Sequence, residues 1–449
     1  MTAIYLPVEV VKREFWPKAI LASYLADKGH KVYIFQDYLF DKYGYPEPGF
    51  YIGKNLFKTW GTFLLDQKLK AINDGIKMYF LEEESLGCGD LPEQAIKGYF
   101  ESRFGSLSYI TEALNHLHGD RFLAWSKLYA DGAKGFLPES MINITGSILF
   151  ASCKPEWKEI YKSFVPAAEQ PYVLACSSYS FSNGISVHAQ LEMASQQQLG
   201  QYSSAQTEEL LLSQVDAINF AIAIKKIAGK ARNIPFLFRP HPSENCDVYD
   251  DLFADSPNVL VSKTGTIQEC LINTHTLIHS GCSTAIQASI MGVSVITLNL
   301  RPEKFLNYPW RLFNLGYKCT EWELACVYLN ETGNMIQNYE FEFEQHIETN
   351  NVFDRIVDLI DADSATRLLS IPSNLNIRKY IKYNFRKLQV KYFDLHKFNQ
   401  PTSVLSGWSI EEFNRFVKAV KFISQRKFGK DICSQQLTSN CYIFSNSLK

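Results

Sequence analysis

The sequence of 449 residues has few of the short motifs that would identify its chemistry directly. Its ten cysteines include no CxxC pair and no ladder of paired spacings, and a chain this long needs no disulfide staples, so they read as reduced thiols of a cytoplasmic protein. No apolar run approaches 18 residues, so no membrane span is expected. The opening MTAIYLPVEVVKREF carries charge by position 9 and lacks a continuous apolar core, which argues against a secretory signal. GxGxxG and GxxxxGK[ST] are absent, leaving nicotinamide-dependent and P-loop chemistry unsupported, and the missing GxSxG elbow lowers the case for a hydrolase. No internal repeat is visible. The pairs His116 with His118 and His275 with His279 lack a third ligand, so no metal is expected.

What is present is an α/β rhythm. A composition of 46% hydrophobic, 20% charged and 14% aromatic residues supports full-size cores, and the length suits two domains or two plus an extension. Apolar and β-branched runs predict strands at 2–8, 31–35, 77–81, near 121–125 and at 142–145, with helical spacing over 17–28 and 155–163. FVPAAEQP (164–171) reads as a linker. A second series follows, with strands at 172–176, 235–239, 258–262, 276–279 and 293–298 and helices at 206–229 and 283–291. This pattern predicts an α/β protein: two Rossmann-like doubly wound domains facing a cleft, spanning 1–165 and 166–375, with a basic helical extension over 376–449.

Four clusters could carry chemistry. RPHPSE follows a strand, and its Arg239 and His241, stiffened by Pro240 and Pro242, can donate hydrogen bonds to an oxyanion. HSGCSTA carries a strand into a helix whose opening offers the Ser280, Ser283 and Thr284 hydroxyls and unpaired N–H groups, a cradle for phosphate. Read blandly, the second cluster is an N-cap and the first a structural histidine. LEEESLG places Glu83 and Glu84 after a strand, either as a general base or as a solvated acidic turn. Glu9, Arg13 and Glu14, with Lys12, lie in the first strand-to-helix turn, as substrate contacts or as a surface salt-bridge cluster.

PVEVVKREF, the acidic triplet, NITGSILFASCKPEW, RPHPSE and HSGCSTAIQASIMGVSVI fall in an order that resembles bacterial surface-carbohydrate biosynthesis proteins with a glycosyltransferase-B-like fold, over roughly 1–370. More widely the chain is similar to capsule Kdo transferases and bacterial sialyltransferases. The resemblance implies that Glu83 or Glu84 is the catalytic base, that His241 and Pro242 form an HP motif, and that Ser283 and Thr284 bind phosphate. Ser85 stands where the acidic motif of those enzymes has Gly, and Gln287 where many such sequences have Glu. The implied activity is transfer of an acidic sugar, Kdo or another ulosonic acid, from a CMP-activated donor to a glycan or glycolipid acceptor of surface polysaccharide, without metal or other cofactor. A CDP-glycerol-type transferase, a UDP-sugar enzyme of the same fold and a non-catalytic scaffold of polysaccharide assembly are the alternatives.

The net charge of −2 conceals an asymmetry. Residues 378–449 hold fourteen Lys/Arg against four Asp/Glu. The densest stretch, 377–393, interleaves six basic residues with Tyr and Phe, as expected for contact with an anionic membrane surface on the inner face of the cell membrane, or for a solvated helix. No nucleic-acid module accompanies it.

Overall fold

The computed structural model describes residues 1–8, 10–36, 44–53, 74–81, 120–166, 170–178, 204–242, 244–300, 315–331, 347–368, 409–438 and 441–446. Along the chain the strands are β1 (Ala3–Val8), β2 (Lys31–Gln36), β3 (Gly49–Gly53), β4 (Ile76–Leu81), β5 (Arg121–Ala124), β6 (Ile142–Ile144), β7 (Tyr172–Cys176), β8 (Phe236–Arg239), β9 (Val259–Val261), β10 (Thr274–His279), β11 (Ser294–Leu298), β12 (Tyr317–Cys319), β13 (Cys433–Thr438) and β14 (Cys441–Ser445). The helices are α1 (Val11–Asp27), α2 (Lys127–Ala133), α3 (Ile148–Ala151), α4 (Lys158–Lys162), α5 (Ser204–Lys230), α6 (Asp247–Phe253), α7 (Ile267–Ile272), α8 (Thr284–Ile290), α9 (Trp322–Glu331), α10 (Val352–Leu368) and α11 (Ile410–Phe428). Among the described residues no helix is long and apolar enough to cross a membrane.

The chain forms two compact units, each built on a largely parallel sheet in Rossmann-like fashion. The first comprises 1–87, 91–152 and 342–449, the second 88–90 and 153–341. This division differs from the boundaries expected at 165 and 375, because the segment after 341 returns to the first unit. Hydrogen bonds explain the return. The carboxylate of Asp363 on α10 takes both Arg121 Nε (3.1 Å) and Nη2 (3.0 Å) from β5 and the Tyr79 hydroxyl (2.5 Å) from β4. Asp361, two residues earlier, meets His30 Nε2 at 2.9 Å.

The first sheet has the order β13-β14-β2-β1-β3-β4-β5-β6. Strands β1 to β6 run parallel; β14 joins β2 antiparallel, with Tyr442 opposite Ile34, and β13 follows as a hairpin arm. The expected helical extension is thus corrected. Residues 409–438 and 441–446 supply α11 and two antiparallel strands to the fold of the first unit, and β14 is buried along its whole length. Ser409 and Glu412 close a capping box at the start of α11, and Gly429 ends it at φ 65°. Its apolar face packs on α1: Phe416 meets Phe15 edge-on at 5.3 Å, Phe428 meets Tyr24 at 4.9 Å, and the Val420 carbonyl accepts from Ser23. Enclosed this way, α1 buries nearly all its side chains and shows little amphipathic contrast.

Strand β3 follows the proline-rich YPEP and eluded the sequence reading. Its Gly49 is obligatory, since a Cβ there would lie 2.1 Å from the Ala3 carbonyl oxygen of β1.

The second sheet has the order β12-β11-β10-β7-β8-β9, all parallel. The chain winds outward from β7 through β8 to β9, then returns to β7's other side and winds outward through β10, β11 and β12. The strand order therefore reverses between β7 and β10. Helix α5 covers this sheet with Phe220, Ile224 and Ile227, which pack with Phe236, Phe238, Ile278 and Ile296.

Candidate functional site

In a parallel doubly wound sheet, ligands bind beyond the carboxyl ends of the strands where the order reverses. Here that point lies between β7 and β10. Strand register aligns Arg239 of β8 with Cys176 of β7, Cys176 with His279 of β10, and His279 with Thr297 of β11. The RPHP and HSGCST segments, far apart in sequence, therefore leave the sheet at one level, on either side of β7.

Two residues sequence reasoning passed over, Ser177 and Ser178, occupy the exit of β7 itself. Ser177 Oγ accepts the His241 N–H at 3.3 Å and donates to Glu244 Oε2 at 2.7 Å. Ser178 Oγ donates to the Ser280 carbonyl at 3.0 Å. The available signal was their position, a polar pair directly after an apolar strand. Glu244 is 2% exposed, and a second hydroxyl, that of Tyr249, reaches the same oxygen at 2.6 Å. Lys263 Nζ donates to the Pro242 carbonyl at 3.1 Å and to that of Glu244, closing the 241–244 turn from below.

Arg239 does not serve as the sequence suggested. Its guanidinium is buried and committed to backbone carbonyls, Nη1 to Thr264 at 2.8 Å and Nη2 to Gly265 at 2.8 Å, with Cys270 Sγ 3.4 Å from Nη1. It braces the loop after β9, since a planar fork of donors suits two adjacent carbonyls. His241 stands half-buried at the same strand exit.

On the other side of β7, His279 is fully buried and holds the turn that follows it. Cys282 N–H donates to Nδ1 at 3.2 Å, while Nε2 lies 2.8 Å from Thr297 Oγ1. Burial depresses its pKa to about 3, so the ring stays neutral. Gly281 turns the chain at φ 79°, in the left-handed region. Ser283 is exposed and makes no side-chain cap bond to α8, so the bland N-cap reading does not describe it. The Thr284 hydroxyl accepts the Cys282 thiol at 3.2 Å, and burial pushes that thiol's pKa up, which keeps it protonated. Ser280 is 8% exposed and is held through its carbonyl by Ser178. In this turn the Ser283 hydroxyl is the exposed donor, suited to a phosphate oxygen, whereas Thr284 is buried and the Ala285 and Ile286 N–H groups donate to the Cys282 and Ser283 carbonyls, each at 3.1 Å. Gln287 is buried in α8, its Nε2 3.6 Å from Cys153 Sγ, so it packs inward.

In the first unit, Glu14 is 4% exposed and accepts the Val10 N–H at 3.2 Å and Arg13 Nη2 at 3.4 Å. It fastens the start of its own helix, which begins at Val11 and carries Pro17 inside it, earlier than the expected 17. Glu9, Glu83, Glu84 and the 377–393 segment lie outside the described residues. Among the described residues no group of three His, Cys, Asp or Glu side chains could hold a metal.

The two sheets define the class: mixed α/β with two parallel-sheet Rossmann-like units, the glycosyltransferase-B type of fold. No protein-family model matches the sequence, and no curated protein does. Solved structures do. The wall teichoic acid polymerase TagF superposes with a TM-score of 0.51 at 10% identity, over 82% of this chain and 90% of that one. A putative UDP-N-acetylglucosamine 2-epimerase from Listeria monocytogenes gives 0.46 at 10% identity, over 81% and 97%. The UDP-GlcNAc 2-epimerase from Neisseria meningitidis, bound to UDP-GlcNAc, gives 0.44 at 12%, over 80% and 99%. What the chain shares with the polymerase is the fold.

Proposed function

We propose that this chain is a glycosyltransferase that moves an acidic sugar, Kdo or another ulosonic acid, from a CMP-activated donor to a glycan or glycolipid acceptor of bacterial surface polysaccharide. The observation that carries the reading is the placement of His241 and the Ser280–Thr284 turn on either side of β7, beside the point where strand order reverses. A phosphate there meets donors from two loops.

The chemistry needs little more. Cleaving the bond between a ulosonic anomeric carbon and phosphate builds positive charge on the sugar and negative charge on the departing phosphate. Fixed donors aimed at that oxygen stabilise it without reorganising, so no metal step is required of them. His241 and the hydroxyls of Ser283 and Thr284 fill this role. Glu83 or Glu84 accepts the proton of the attacking hydroxyl. An anionic membrane surface, met through 377–393, is the proposed location of the acceptor.

An anion site of this kind would also serve a CDP-glycerol-type or UDP-sugar enzyme, so the donor decides. Calorimetry with CMP, CDP and UDP is the test: binding of CMP that weakens in His241→Ala and Thr284→Ala supports the reading, and binding of UDP without CMP overturns it. Glu83→Gln and Glu84→Gln are expected to bind CMP as the parent does, with transfer lost in whichever replaces the base. Absence of turnover with every donor would instead favour a non-catalytic scaffold.

A further inference from the structure

Strands β8 and β10 are two strand spacings apart, about 10 Å, with β7 between them. For His241 and the 280–284 turn to meet one anion, both loops must be held to a common height over β7. Resting on the reading that this strand edge binds a nucleotide phosphate, we propose that Ser177 and Ser178 are positioning residues that set the two loops in register, with Glu244 orienting Ser177.

The hydrogen-bond directions support this. A serine hydroxyl has one proton and two lone pairs. Ser177 gives its proton to Glu244 and receives the His241 backbone N–H, so the carboxylate fixes which way the hydroxyl faces. The carboxylate is itself held in place, because a buried charged group is costly unless hydrogen-bonded, and Tyr249 supplies a second donor to the same oxygen. The 241–244 turn closes on itself through Glu244 N–H to the His241 carbonyl at 2.9 Å. Ser178, the next residue, reaches the opposite neighbour and takes the Ser280 carbonyl. Two consecutive residues of one strand exit thus tie down two loops that share no other strand. Ser177 acts through His241 and Ser178 through the 280–284 turn, each without touching the ligand.

This arrangement predicts a pattern of thermodynamic coupling that general loosening of the fold would not produce. The test measures affinity for CMP, UDP and pyrophosphate in the full chain, with Ser177→Ala and Ser178→Ala made alone and combined with His241→Ala and Thr284→Ala. Each serine change is expected to cost about five- to tenfold in affinity, the size of one hydrogen bond. The Ser177 loss should vanish when His241 is already alanine and persist when Thr284 is. The Ser178 loss should show the reverse pattern. Ser177→Thr keeps the hydroxyl and is expected to restore affinity. Losses that are additive in every pairing, or parent-like affinity in both serine variants, overturn the proposal. If CMP fails to bind and UDP binds, the donor reading falls while the cycles with UDP still decide the positioning role. If none of the three probes binds, both fall.

Discussion

His279 Nε2 lies 2.8 Å from Thr297 Oγ1, and the direction of that bond fixes the state of the imidazole. Thr297 gives its own proton to the Leu315 carbonyl at 2.5 Å, so its oxygen must accept from Nε2–H. Nδ1 accepts from Cys282 N–H, so the ring is neutral with both nitrogens occupied. Protonation at Nδ1 would displace the Cys282 N–H and loosen the turn that holds Ser283 and Thr284.

A pH dependence follows. The folded pKa is about 3, against about 6.5 for an unfolded histidine. Between those values the unfolded chain binds more protons, so the contribution is intact above about 6.5 and is lost as pH falls toward 3, by about 1.4 kcal/mol per unit. Thermal midpoints of the parent and of His279→Asn and His279→Gln, taken from pH 7 to 4.5, are expected to show a shallower acid slope in both variants. Parallel slopes would mean that His279 titrates normally in the fold.

Arg239 is expected to matter more for stability than for ligand contact. Arg239→Lys keeps the charge but cannot reach the Thr264 and Gly265 carbonyls together, and leaving one buried acceptor unmet costs about 1–3 kcal/mol. Urea unfolding should show that loss. Unchanged stability with strongly weakened CMP binding would return Arg239 to the ligand.

Two glycines with nearly equal φ separate the effect of conformation from that of space. Gly292 (φ 73°) has nothing within 4 Å of a Cβ, whereas at Gly316 (φ 74°) a Cβ would lie 2.0 Å from the Val295 carbonyl oxygen. Gly292→Ala should cost roughly 1–2 kcal/mol, the left-handed penalty alone. Gly316→Ala should cost more and lower the yield of folded protein, read by denaturation midpoint and soluble expression. Equal costs would contradict the close approach of β11 and the turn before β12.

Removing residues 409–446 is expected to compromise the first unit, since α11 covers Phe15 and Tyr24 and β14 pairs with β2. Phe444→Ala alone should cost about 3–5 kcal/mol, as for other buried aromatics. The check is soluble yield and circular dichroism of both proteins. A soluble, native-like truncation would contradict this packing. Vesicle binding by 377–393 is therefore better tested by replacing its basic residues in the intact chain. Salt-sensitive binding to anionic vesicles should then fall about tenfold or more if several contributions of about 1 kcal/mol are removed.

Most of the parallel strands were legible because buried strands such as AIYLPV and YVLAC are short apolar runs bounded by polar exits. The C-terminal return was not. Strand β13, CSQQLT, is polar, and β14 finds its partner β2 at the far end of the sequence, a pairing that local pattern does not encode. In the candidate site, His241, Ser283 and Thr284 were visible as residue types at strand exits. The diversion of Arg239 was not, because only the fold brings the Thr264 and Gly265 carbonyls within its reach. Ser177 and Ser178 were missed for the same reason: a serine pair acquires meaning only when its neighbours across the sheet are known.

The placement of the second unit within the sequence of the first also bears on how the protein is made. Ser23 bonds a carbonyl 397 residues downstream, at Val420. At synthesis rates of about 5–20 residues per second, α1 waits roughly 20 to 80 seconds for the helix that covers it. The second unit, contiguous from residue 153 to 341, is finished earlier. During that interval the edge of β2 and the aromatic face of α1 are uncovered on the nascent chain, the kind of open strand edge and apolar surface that pairs wrongly until its own partner arrives.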